Sequence, residues 1–130
     1  LLVAEDNPVN RTLIDRMLAR MGHEIVIVED GAAAVDASAA GGFDAVLMDV
    51  HMPVMDGLEA SRRIRARESR IRSARLPILA LTADALPGDR ERCIDAGMDG
   101  HLTKPISAAA LREALNELAT QRPQAWTRAG

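Results

Sequence analysis

The sequence predicts one α/β domain built as a doubly wound parallel sheet. Three observations carry that expectation. Short apolar runs alternate five times with longer helical patterns. The runs are apolar throughout rather than alternating, as strands covered on both faces require. Asn, Asp, Ser, Pro and Gly stand at the junctions where helices should begin and end. Right-handed crossovers between parallel strands then place helices on both faces.

Leu1–Ala4 reads as the first strand. Asn7-Pro8 supplies an N-cap with proline at the first helical position. Leu13, Ile14, Met17, Leu18 and Met21 line one helix face, and Gly22 stops that helix. Glu24–Glu29 is a β-branched strand, followed by the alanine-rich helix Gly31–Ala40. Ala45–Met48 is a wholly apolar strand that ends at Asp49. Asp56-Gly57-Leu58-Glu59 has the form of a capping box, opening a helix in which Ile64 and Ile71 read as core or half-core positions. Leu76–Leu81 is the fourth strand. Pro87 starts a helix that stops at Gly97, with Cys93 as a core thiol. Gly100–Thr103 is the fifth strand, and Ser107 caps a helix through Leu111, Leu115 and Leu118. Residues 122–130 read as a linker or tail, with Trp126 beyond the domain.

Composition narrows the function classes. The chain has 130 residues, 48% hydrophobic and 27% charged, a globular balance for one domain. Its apolar runs are too short to span a bilayer, and no charged-then-apolar leader opens it. The single cysteine forms no internal disulfide, as expected in a reducing cytoplasm. Leu1 falls inside an apolar run without an initiating Met, so the sequence reads as a segment of something longer. The net charge of -3 and the 2% aromatic content argue against direct nucleic-acid binding and base stacking. Neither Gly-x-Gly-x-x-Gly nor a Walker-type loop is present, which removes the main dinucleotide and NTPase signatures.

Charge is uneven. Residues 62–75 hold seven Arg and one Glu, net +6 against a chain total of -3, so the remainder carries -9. The arginine run reads as a solvated helix face and loop, with an acidic partner domain as the lesser alternative. Of sixteen basic residues, Lys104 is the only lysine.

In open α/β sheets, sites form beyond the carboxyl ends of the strands. Those ends carry Glu5 and Asp6, Asp49, Thr82, and Thr103-Lys104. Any one of them alone reads as a cap or a solvated strand end. Their convergence does not. Clustered carboxylates repel one another, and a divalent cation offsets that repulsion. A lysine adds a compact charge suited to phosphate. The set describes a phosphoryl-transfer site in which a carboxylate can be the nucleophile.

The runs VAEDNPVN (3–10), VLMDVHMPVMDG (46–57), LALTADAL (79–86) and GMDGHLTKPI (97–106) resemble the receiver domain of two-component signalling, most closely the receivers of hybrid sensor histidine kinases. The resemblance covers residues 1–121 and implies a flavodoxin-like (βα)5 sheet of strand order 2-1-3-4-5. By that resemblance Asp49 is the phosphoryl acceptor, taking phosphate from a phosphohistidine. Asp6, Asp49 and the backbone carbonyl of His51 hold Mg²⁺ or Mn²⁺, and Glu5 acts through a metal-bound water. Thr82 and Lys104 contact the phosphoryl group, and Pro105 follows a cis peptide. The implied partner is a histidine kinase or a histidine phosphotransfer domain, in the cytoplasm, without membrane contact and with a homodimer possible. Such a domain catalyses only its own phosphorylation and dephosphorylation, in a hybrid kinase or a stand-alone regulator, and switches its helix 4, strand 5 and helix 5 face.

One position departs from the family pattern. Where receivers usually place Tyr or Phe, this chain has His101. It reads either as a half-exposed edge-strand residue or as a smaller, titratable switch partner to Thr82. His23 and His51 side chains read as structural or loop groups. Two other functions compete. A phosphatase of the haloacid-dehalogenase type needs a second Asp two residues after the nucleophile, where His51 stands. A non-phosphorylated pseudo-receiver should lack Asp6, Asp49 or Lys104, and all three are present.

Overall fold

The computed structural model describes the backbone of residues 1–83 and 87–129, and the side chains of 1–83, 88 and 90–119. Ten elements alternate: β1 (Leu2–Ala4), α1 (Pro8–Arg20), β2 (Val26–Val28), α2 (Gly31–Ala40), β3 (Val46–Asp49), α3 (Gly57–Ile71), β4 (Ile78–Thr82), α4 (Pro87–Asp95), β5 (Gly100–Thr103) and α5 (Ala108–Ala129). The five strands form one sheet in the order β2-β1-β3-β4-β5, and every pairing is parallel. β2 is shorter than its β-branched run because only Val26–Val28 finds partners on β1.

Alternate residues of each strand feed two cores. Leu2, Ala4, Val46, Met48, Ile78 and Ala80 pack with Ala34, Ala60, Ile64 and Cys93 from α2, α3 and α4. Val3, Leu47, Leu79, Leu81 and Leu102 pack with Ile14, Leu18, Leu111 and Leu118 from α1 and α5. This period of two explains why β1, β3 and β4 contain no polar interruption until their carboxyl ends, whereas the edge strand β5 carries the exposed His101.

Caps set the helix starts. Asn7 Oδ1 accepts from the amides of Val9 and Asn10 at 2.9 and 3.3 Å. Asp30 Oδ1 accepts from Ala33 N at 2.7 Å, and Ser107 Oγ from Ala110 N at 3.1 Å. Asp56 Oδ1 accepts from Glu59 N at 2.8 Å. Only that half of the capping box forms, because the Glu59 carboxylate pairs with Arg62 and Arg63 instead. Gly57 is required where α3 starts, since a Cβ there would collide with the carbonyl oxygen of Asp49. The opening of α3 therefore lies directly against the end of β3.

Two expectations change. Ile71 is 59% exposed. The core face of α3 ends at Glu68, and Arg72 turns the chain away in a left-handed conformation, φ 57°. The arginine run is not merely a solvated face, because Arg65, Arg67 and Arg75 are half-buried and hydrogen-bonded across elements. The segment 122–129, read above as a linker or tail, continues α5 as helix. Gly130 and the side chain of Trp126 lie outside the described residues.

Candidate functional site

The strand order places β1, β3, β4 and β5 side by side, so their polar carboxyl ends share one edge of the sheet. Glu5 follows β1 and is fully buried, while Asp6 beside it is exposed. Asp49 and Thr82 close β3 and β4, each 4% exposed. Thr103 pairs with Thr82 in the parallel register, which brings Lys104 to the same edge. The Lys104 amide donates to Thr82 O at 2.8 Å, and the Lys104–Pro105 peptide is cis.

Lys104 bridges the two buried carboxylates. Its Nζ donates to Asp49 Oδ2 at 2.9 Å and lies 2.8 Å from Glu5 Oε1. The second contact is an ion pair without the angle of a directed hydrogen bond, so Glu5 Oε1 remains a buried oxygen with no directed donor. The His51 amide donates to Asp49 Oδ1 at 3.2 Å. The His51 side chain is exposed, so its backbone is the part turned to Asp49.

The electrostatics are unbalanced. Burial raises the Glu5 pKa above its ordinary 4.5, and the hydrogen bond and charge of Asp49 push it the same way, against Lys104. Burial works to lower the Lys104 pKa, but Glu5 and Asp49 outweigh it and hold it above 10.5. Oxygens of Glu5, Asp6 and Asp49 lie within 4.8 Å of one another. Hard oxygen donors with an undersatisfied buried member fit a Mg²⁺-sized divalent cation.

The other candidates lie apart from this cluster. His101 is exposed on β5, beside a cavity of about 100 Å³ lined by Arg90, Cys93, Ile94 and Met98. The Cys93 thiol is buried, and burial raises its pKa. His23 is exposed at the end of α1.

Sequence reasoning missed a second charged cluster at the opposite end of the sheet. Arg65 Nη2 donates to Asp99 Oδ2, Nη1 to Glu68 Oε1 and Leu76 O, and Nε to Gly97 O, each at 2.8 Å. Arg75 grips Asp99 Oδ1 from the other side at 2.8 and 3.0 Å. Its members are up to 34 residues apart, so no local spacing reveals it. The arginine excess of residues 62–75 was the one signal available.

The model for the response regulator receiver domain matches residues 1–116. The chain belongs to that family. The sensor protein GacS of Pseudomonas syringae pv. syringae is 47% identical over 112 residues, 86% of this chain but only 12% of its own length. The receiver domain of the sensor histidine kinase PA1611 from Pseudomonas aeruginosa PAO1, solved with a magnesium ion in its active-site cleft, has a TM-score of 0.80 and 47% identity, covering 89% of this chain and 93% of that one. The Saccharomyces cerevisiae complex of the phosphotransfer protein Ypd1 with the Ssk1 receiver domain gives a TM-score of 0.88 at 28% identity, covering 92% and 88%. The receiver fold and strand order are thus those of the family. Membership displaces the dehalogenase-type phosphatase. Among the described residues, no helix is long and apolar enough to cross a membrane.

Proposed function

We propose that this receiver accepts a phosphoryl group on Asp49 from the phosphohistidine of a kinase or phosphotransfer domain, as one step of a hybrid-kinase phosphorelay. One observation carries the reading. Lys104, the only lysine, bridges Asp49 and Glu5 at the sheet edge where three carboxylates meet. In the reaction an Asp49 carboxylate oxygen forms the new P–O bond as the donor P–N bond breaks. Asp6, Asp49 and the His51 carbonyl would hold Mg²⁺, with Glu5 reaching it through water. The ion would supply charge for the phosphoryl oxygens and relieve carboxylate repulsion. Lys104 holds Asp49 before transfer and gives its charge to the phosphoryl group afterwards. The Thr82 hydroxyl bonds the transferred group, and its displacement passes the event towards His101. The kinase context rests on relatives that are themselves sensor kinases, and the cytoplasmic setting on the unpaired cysteine.

Acetyl phosphate with Mg²⁺ should add one phosphoryl mass to the protein, and Asp49→Asn should take up none. Chelation by EDTA should abolish labelling in the wild type. Equal labelling of Asp49→Asn would overturn the acceptor, and labelling unchanged in EDTA would overturn the metal.

A further inference from the structure

A cleft of about 280 Å³ opens at the end of the sheet away from Asp49, between the close of α2, the Gly41–Phe43 turn, the last turn of α3 and the loop leading to β4. Arg67 stands in its wall. This half-buried guanidinium donates to Val35 O and Ser38 Oγ, both at 3.0 Å. Both acceptors are neutral, and the one carboxylate in the lining, Glu68, is committed to Arg65 and the Leu76 amide, so the Arg67 charge has no ion-pair partner of its own among the described residues. Its neighbours in the run differ in this respect, since Arg65 and Arg75 are paired with Glu68 and Asp99.

Beside the polar Ser38, Glu68, Ser73 and Arg75, the lining holds an accessible apolar patch. Ile71 is 59% exposed at its rim, and Phe43 and Leu76 are half-buried in its lining. Nothing lies above the positive-φ Gly41 and Gly42 within 4 Å of an added Cβ, so the approach is open. Arg70 and Arg72, which flank Ile71 in sequence, are exposed. Arg72 caps α3 at φ 57°, where glycine is the strain-free residue.

We propose that this cleft docks an acidic protein segment, one carboxylate of which pairs with Arg67 while an aliphatic side chain packs on Phe43, Ile71 and Leu76. Charge complementarity decides the occupant. Arg62, Arg63, Arg65 and Arg75 of the run are paired with carboxylates, which leaves the cleft the single charge of Arg67 on a chain of net charge -3; that disfavours a nucleic-acid polyanion over a short segment presenting few charges. The apolar rim adds what a bare polyanion site lacks, a pocket for a side chain. The cleft lies at the far end of the sheet, so docking and phosphorylation of Asp49 can proceed together.

The test uses the full chain and a fluorescein-labelled peptide of glutamates around one leucine. Anisotropy should rise saturably, and the amides of Gly41–Phe43 and Ile71 should shift in ¹H–¹⁵N spectra. Arg67→Gln should weaken binding about tenfold by removing a charge-assisted contact. Ile71→Ser, at an exposed position that does not threaten folding, should weaken it several-fold, as should serine for leucine in the peptide. Arg63→Gln, outside the cleft, should leave affinity within about twofold. Absence of saturable binding, or affinity untouched by both Arg67→Gln and Ile71→Ser, would overturn the proposal. Displacement by a single-stranded oligonucleotide at the peptide's own potency would overturn the choice of a protein segment. Asp49→Asn should bind the peptide normally, which separates this result from the fate of the phosphorylation reading.

Discussion

The two ends of the sheet carry charged clusters of opposite design. At the basal end, Arg65 and Arg75 meet Glu68 and Asp99, two cations against two anions, and the carboxylates also accept the Leu76 and Ile78 amides at 2.7 and 2.8 Å. Donors and acceptors are matched, as a clamp between α3 and the loop before β5 requires. At the carboxyl end, three carboxylates face one ammonium, a buried oxygen lacks a directed donor, and the Glu5 pKa is driven upward. A balanced buried network holds structure together, whereas an unbalanced one waits for a ligand. The same residue chemistry therefore gives stability at one end and reactivity at the other.

The strongest way to break this comparison is at the clamp. Asp99→Ala leaves two half-buried guanidinium groups without their shared acceptor. It should cost about 3 kcal/mol of stability in urea unfolding, while the Mg²⁺ affinity of the folded protein stays unchanged. A loss of metal affinity matching the loss of stability would show that the two ends are not independent.

Lys104→Arg tests the carboxyl end with charge preserved. The planar fork cannot reproduce the paired contacts of Nζ with Glu5 and Asp49. Phosphorylation by acetyl phosphate should slow about tenfold or more, with Mg²⁺ binding retained in a fluorescence or calorimetric titration. In the wild type, the raised Lys104 pKa means that its pairing contributes stability below pH 10.5 and loses it as pH climbs through the higher folded value.

Glu5→Gln should act with opposite signs on the two properties. Metal-free protein should gain about 1 kcal/mol near neutral pH, because a costly buried charge is gone, while Mg²⁺ affinity falls. The pH dependence follows from the raised pKa. The folded state holds the Glu5 proton more tightly than the unfolded chain, so wild-type stability from this group is complete below 4.5 and is lost as pH rises through the folded value. The advantage of Glu5→Gln should thus vanish in acid and open above it, read as a difference between paired unfolding curves. A Gln variant that is less stable at every pH would contradict the picture of an overcharged site.

The smallest effect belongs to His101→Tyr. His101 is exposed beside a small cavity, and a larger ring gains apolar contact there when Thr82 moves. The beryllofluoride-activated state should be favoured about threefold, measured by amide shifts in α4 and β5. Identical responses in wild type and variant would make position 101 a bystander.

Most of the frame was legible in the amino-acid order. Apolar strand runs, caps at Asn7, Asp56 and Ser107, and glycine stops at Gly22 and Gly97 are local signals, and local backbone physics reads them directly. Glu5, Asp6, Asp49, Thr82 and Lys104 were legible as a set because parallel strands deliver their carboxyl ends to one edge, which converts sequence position into spatial position. The features that depend on packing lie where no periodicity operates. Ile71 looks like a core residue until α3 is seen to outrun its core face. Arg65, Arg67 and Arg75 look alike along the chain, and become a clamp, a cleft wall and a clamp through partners that lie 22 to 34 residues away in the chain. Charge pairing over such separations depends on how elements pack against one another, and that packing has no signature in the neighbouring letters.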